Sequence, residues 1–151
     1  DEWIQGSRVI AVDLAQADGE LDGTSAIAWE YERDAPYVAS PLLYQGTLYF
    51  TKHLKGILTH LDAKTGENIY GPIRLEALHN IYASPVAAAG RIYIADQDGT
   101  VMVLQHGGEL EVLAVNRLDD GFDASPAIVG DAIFLRGRRY LYKIAIPPEN
   151  S

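Results

Sequence analysis

At 151 residues the chain has the length of one domain, and 48% of its side chains are hydrophobic, enough to fill a core. A formal charge of −9 argues against a nucleic-acid partner, which requires a basic face, and against attraction to anionic lipid. With no cysteine there is no disulfide, thiolate nucleophile or cysteine metal site, and no apolar run approaches the roughly 20 residues of a membrane span.

Residues 7–14 alternate in the strand manner. A loop with Asp-Gly turns follows, and Ala26 to Glu32 alternates again as a half-exposed strand. Tyr37 to Tyr44 and Thr47 to Lys52 form a hairpin across Gln45-Gly46. Gly56 to Asp62 is a third strand, and Asn68 to Leu75 a fourth. Pro72 places that fourth strand at an outer edge, where a missing amide donor does little harm. The plan repeats as Ile81 to Ala88, Arg91 to Asp96, Thr100 to Gln105 and Leu110 to Leu118. It begins once more with Ala124 to Val129, Ala132 to Arg136 and Tyr140 to Ile146. No stretch has helical periodicity over about ten residues.

The tripeptide Ala-Ser-Pro marks each unit, at Ala39-Ser40-Pro41, Ala83-Ser84-Pro85 and Ala124-Ser125-Pro126. Its serines lie 44 and then 41 residues apart. Four short strands at such a period predict an all-β fold of β-propeller blades. About three blades are present. Residues 7–32 hold the outer strands of one blade, 37–75 and 81–118 are full blades, and 122–146 give three strands of a last one. Closed rings take about four to eight blades. The expected partners are therefore the remaining blades of the same propeller or a second copy of the chain. The start at Asp1-Glu2, without an initiator methionine, reads as a processed or excised piece.

Asp62-Ala63-Lys64-Thr65-Gly66-Glu67, Ala83-Ser84-Pro85-Val86, Gly90-Arg91-Ile92-Tyr93-Ile94 and Asp98-Gly99-Thr100 together resemble the repeat of the pyrroloquinoline-quinone-like (PQQ-like) β-propellers. The likeness runs from about Val9 to Ile146, and the ending resembles the C-terminal blades of exported bacterial members. It implies an extracytoplasmic protein, periplasmic or secreted. The family holds quinoprotein dehydrogenases, an outer-membrane assembly scaffold and proteins of unassigned role, so the repeat speaks for fold more than activity. Trp29 takes the place of the family's outer-strand tryptophan, and Tyr70 substitutes for it once. The vicinal cysteine pair of the quinone-dependent dehydrogenases is missing. The resemblance therefore implies a non-catalytic binding or scaffolding module with no cofactor of its own. The alternative is the C-terminal part of a PQQ-dependent oxidoreductase, with PQQ and calcium held by blades outside this chain.

In a propeller the connections entering inner strands share one face with those joining second to third strands, and loops on a rigid scaffold carry sites. That face collects Tyr37, His53, His79, Tyr82, Phe122 and Arg136, a mixed mouth suited to a protein or a small polar ligand. Tyr37, Tyr82 and Phe122 recur two or three residues before each serine, as blade packing or as a stacking platform. Asp119, Asp120 and Asp123 are a weak calcium candidate, because three acids around one glycine also make an ordinary turn. Ser84, His79 and Asp123 assemble a triad on paper, but a serine repeated in every blade signals structure. Its hydroxyl is expected to bond nearby backbone while the proline sets φ.

Overall fold

The computed structural model describes residues 8–52, 54 and 56–146. Strands β1 (Val9–Val12) and β2 (Ile27–Tyr31) pair antiparallel as a two-stranded sheet. The first complete blade is β3 (Leu42–Tyr44), β4 (Thr47–Lys52), β5 (Ile57–Asp62) and β6 (Asn68–Arg74), hydrogen-bonded in that order. The second is β7 (Val86–Ala88), β8 (Arg91–Ala95), β9 (Thr100–Gln105) and β10 (Glu111–Arg117). The third sheet has, among the described residues, three strands, β11 (Ala127–Val129), β12 (Ala132–Arg136) and β13 (Leu141–Ala145). The chain is an all-β partial propeller.

The hairpins follow from turn chemistry. Gln45 and Gly46 have φ of 48° and 81°, and Ala89 and Gly90 of 50° and 74°, the paired positive values of a type I′ turn. The third hairpin has a positive φ at Gly130 alone, 56°, and in all three a two-residue turn sets the register. Tyr44 pairs with Thr47, Ala88 with Arg91 and Val129 with Ala132, so the three sheets align residue for residue. Tyr49, Tyr93 and Phe134 are equivalent, as are Leu61, Leu104 and Ile144.

Period-two alternation then divides each strand between two neighbours. Ile92, Ile94, Met102 and Leu104 face the first blade and join Tyr49, Leu58, Leu75 and Leu78 in one core. From the opposite face of the second blade, Ala95 and Val101 join Leu135 and Phe122 in another. Burying each such aliphatic chain contributes about 1.5–3 kcal/mol.

The serines of the Ala-Ser-Pro repeat depart from expectation. The Ser40 amide donates to Ser84 Oγ at 2.8 Å, and the Ser84 amide to Ser125 Oγ at 2.9 Å. Each hydroxyl thus accepts from the preceding blade, not from its own neighbourhood, and the three serines stitch the inner strands together. Trp29 also acts between sheets. Its indole N–H donates to the Ala63 carbonyl at 3.1 Å, and a Cβ on Gly66 would lie 2.7 Å from its ring.

Candidate functional site

The connections that enter the inner strands do meet the turns between second and third strands on one face. The Gln97 amide donates to the Asn80 carbonyl, the Arg138 amide to the Gly121 carbonyl and the Phe122 amide to the Asp96 carbonyl. Across the first blade, Lys52 Nζ lies 2.8 Å from Asp34 Oδ1. Between the second and third sheets this face has a shallow depression of about 300 Å³, lined by Gln97, Asp98, Asp119, Asp120, Arg138 and Arg139 among others.

Its centre is a buried carboxylate. Asp120 is only 1% exposed at its side chain. Burial alone raises its pKa, but donation from the amides of Gly121, Arg139 and Tyr140 and the Tyr142 hydroxyl outweighs that, lowering it to about 2. Asp120 therefore ties the last entry connection to the turn before β13. Beside it, Asp123 accepts from Arg138 Nε and Nη2 at 2.9 and 3.1 Å and from Gln97 Nε2. Those donors hold its carboxyl below the usual range, Arg138 foremost. Asp119 pairs outward with Arg139 at 3.0 Å. The three carboxylates of the weak calcium candidate thus each meet donors of the protein itself, with Arg139 at 3.0 Å from Asp119 and 4.0 Å from Asp120.

Among the described residues, one group brings potential ligand atoms within 4.8 Å of one another, namely His79, Asp96 and Asp98. Asp96 is fully buried. Its Oδ1 accepts from the amides of Asp98 at 3.0 Å and Thr100 at 2.8 Å, and its Oδ2 from the amide of His79 at 3.3 Å. Hydrogen bonding to its own turn accounts for its position. The signal in the sequence is the Asp-x-Asp-Gly-Thr run, in which Gly99 has a φ of 88° and no room for a side chain, the Asp120 carbonyl lying 2.2 Å from a Cβ there.

The other expected face residues separate. His79 is exposed, its Nδ1 3.6 Å from Asp98 Oδ2, and Tyr37 is 61% exposed. Tyr82 is half-buried. Phe122 is fully buried, packed with Ala83, Ala95, Val101 and Leu135. Of the two readings given for it, it takes blade packing, with its ring in the core and off the loop face. Counted back from the serines, Phe122 matches fully buried Ile81 and exposed Tyr37, whereas Tyr82 matches Asp123, so what packs around the position decides its burial and not the spacing alone. Arg136 turns back on the chain and donates to the Gly137 carbonyl. His53 lies outside the described residues. Ser84, with its hydroxyl accepting the Ser40 amide, belongs to the inter-blade ladder and to no triad.

No family model matches the chain, and no curated protein matches it. Among solved structures, the fold is similar to that of BamB from Moraxella catarrhalis, with a TM-score of 0.67 at 20% sequence identity. That likeness covers 93% of this chain and 40% of the BamB chain. It defines the class, a segment of a β-propeller spanning less than half the length of its structural neighbour.

Proposed function

We propose that the chain is a non-catalytic segment of a PQQ-like propeller, acting outside the cytoplasm as a binding or scaffolding module. One observation carries this reading. The inward acids of the loop face hold its loops together, Asp120 by three amides and a tyrosine, Asp123 by Arg138 and Asp34 by Lys52, while Asp119, Asp98 and His79 stay exposed at the rim. Catalytic acids and bases need an approach to substrate, whereas these acids build a stiff, mixed-charge rim. Such a rim suits recognition of a protein surface, where charge complementarity sets orientation. The repeat motifs and the BamB-like fold support the propeller class, and the likeness of the last blades to exported bacterial propellers supports the location.

Two measurements test the proposal. A photocrosslinking residue at Gln97 or Asp119 is expected to give one discrete protein adduct in cells, weakened by Arg138→Glu. A dye-linked dehydrogenase assay with PQQ, calcium and short alcohols or sugars is expected to show no turnover. Saturable turnover overturns the reading in favour of a quinoprotein oxidoreductase segment.

A further inference from the structure

One group of potential ligand atoms stands apart from the carboxylates that hold the loops. His79 belongs to the connection before β7, and Asp96 and Asp98 to the turn between β8 and β9, 17 and 19 residues further on. One ligand atom from each lies within 4.8 Å of the other two. All three belong to the second, complete blade and the connection that enters it, so no further sheet is needed to form the set.

Asp96 is the fixed member. It is fully buried and held by three backbone amides, those of Asp98 and Thr100 on Oδ1 and that of His79 on Oδ2. A carboxylate offers about four acceptor sites, so Oδ2 keeps one after these bonds. Among the described residues no ion pair reaches Asp96, whereas Asp120, the other buried carboxylate of this face, has Arg139 4.0 Å away. Buried anions are ordinarily paired with a cation or coordinated to one.

His79 and Asp98 are the adjustable members, each half-exposed, with Nδ1 3.6 Å from Asp98 Oδ2. That is too long for a hydrogen bond. It is close to the roughly 3.4 Å between two ligand atoms held at about 2.1 Å in a tetrahedral metal site. Arg138, a cation that also feels Asp98, is engaged at Nε and Nη2 by Asp123.

We propose that His79, Asp96 and Asp98 bind one divalent first-row metal ion, which ties the connection before β7 to the β8–β9 turn. One imidazole and two carboxylates suit zinc, cobalt or manganese, whereas calcium takes about six to eight oxygens. Asp98 also lines the depression between the second and third sheets, so the ion sits at the edge of the surface that the scaffold reading assigns to recognition. The ion site stands whether or not that reading does.

Isothermal titration of zinc chloride into the tag-free, chelator-treated chain is expected to give one saturable site, and zinc to raise the melting temperature. His79→Ala and Asp98→Asn are each expected to weaken zinc about tenfold or more, since even an outer partner of a metal ligand is worth that much. Both side chains are half-exposed, so both variants are expected to melt like the parent chain without metal. Asp96 is left intact because it holds its turn. Asp119→Asn, at an outward-pointing carboxylate, is expected to bind as the parent does. In the unmutated chain, zinc is expected to shift the His79 ring signals in NMR spectra. No saturable binding, undiminished binding in both variants, loss of binding in Asp119→Asn as well, or His79 signals that stay in place overturns the site. So does a preference for calcium over zinc. In those cases His79 and Asp98 form an exposed ion pair and nothing more.

Discussion

The two inter-blade interfaces are alike at the axis and different at the rim. At the axis both carry the same amide-to-serine bond, Ser40 to Ser84 at 2.8 Å and Ser84 to Ser125 at 2.9 Å. At the rim one is closed by stacked rings, Tyr49 on His60 with centroids 3.8 Å apart, while the other is hollow. The backbone register is common to both, so the difference lies in side-chain volume. A repeat architecture therefore keeps its inner contacts constant and varies its outer ones, and it is there that a site can arise without changing the fold.

The largest effect expected from breaking this comparison is Tyr49→Ala. It removes a fully buried ring from the plugged interface and destabilises by about 3–5 kcal/mol in chemical denaturation. The matching Tyr93→Ala, beside a space already open, is expected to cost about 1 kcal/mol. Equal losses from the two would show that the interfaces are packed alike.

A pH difference comes next. His60 is 1% exposed and neither ring nitrogen has a protein partner among the described residues. Burial, and then the nearby His106, lower its pKa from 6.5 to about 4. The unfolded chain thus binds the proton more readily than the folded one between those values. Its contribution is fully present above pH 6.5 and fades as pH falls towards 4, by up to about 3 kcal/mol. Thermal melts from pH 7.5 to 4.5 should show the loss, and His60→Leu should flatten that slope. An unchanged slope in the variant would place the acid sensitivity elsewhere.

Smaller effects sharpen the likeness at the axis. Ser84→Ala and Ser125→Ala each leave an inner-strand amide without its acceptor and are expected to cost about 1–2 kcal/mol alike. A large disparity in their denaturation midpoints would mean that the rim controls the axis. Conversely, Ala114→Phe should part-fill the hollow and stabilise by about 1 kcal/mol. Least of all, Arg139→Ala removes a half-exposed guanidinium that pairs with fully exposed Asp119, lies 4.0 Å from Asp120 and covers the Tyr140 ring, and should cost less than about 1 kcal/mol in denaturation.

The strands and their order were legible in the sequence because their signals are local. Alternation over Val9 to Val12 or Ile57 to Asp62, glycine at Gly46 and Gly90, and Asp-Gly at 98–99 each act within a few residues. A period in the forties then implied blades, and Pro72 marked an outer strand.

What the tertiary structure alone decided is the role of each residue across the blades. Phe122 shares the spacing of Tyr37 to its serine, yet the packing of Ala83, Ala95, Val101 and Leu135 around it buries it whereas Tyr37 stays exposed. The serine hydroxyls reach the preceding blade, 44 and 41 residues away, a pairing no local pattern encodes. Asp119, Asp120 and Asp123 look like one acidic cluster, but Asp120 turns inward to backbone amides while Asp119 and Asp123 pair outward with Arg139 and Arg138. The replacement of Tyr44, His60 and Tyr70 by Ala88, Val103 and Ala114 becomes a hollow only once the register lays the two interfaces side by side. Local backbone preference sets which strands form, whereas burial and partnership depend on what the ring of blades brings within reach.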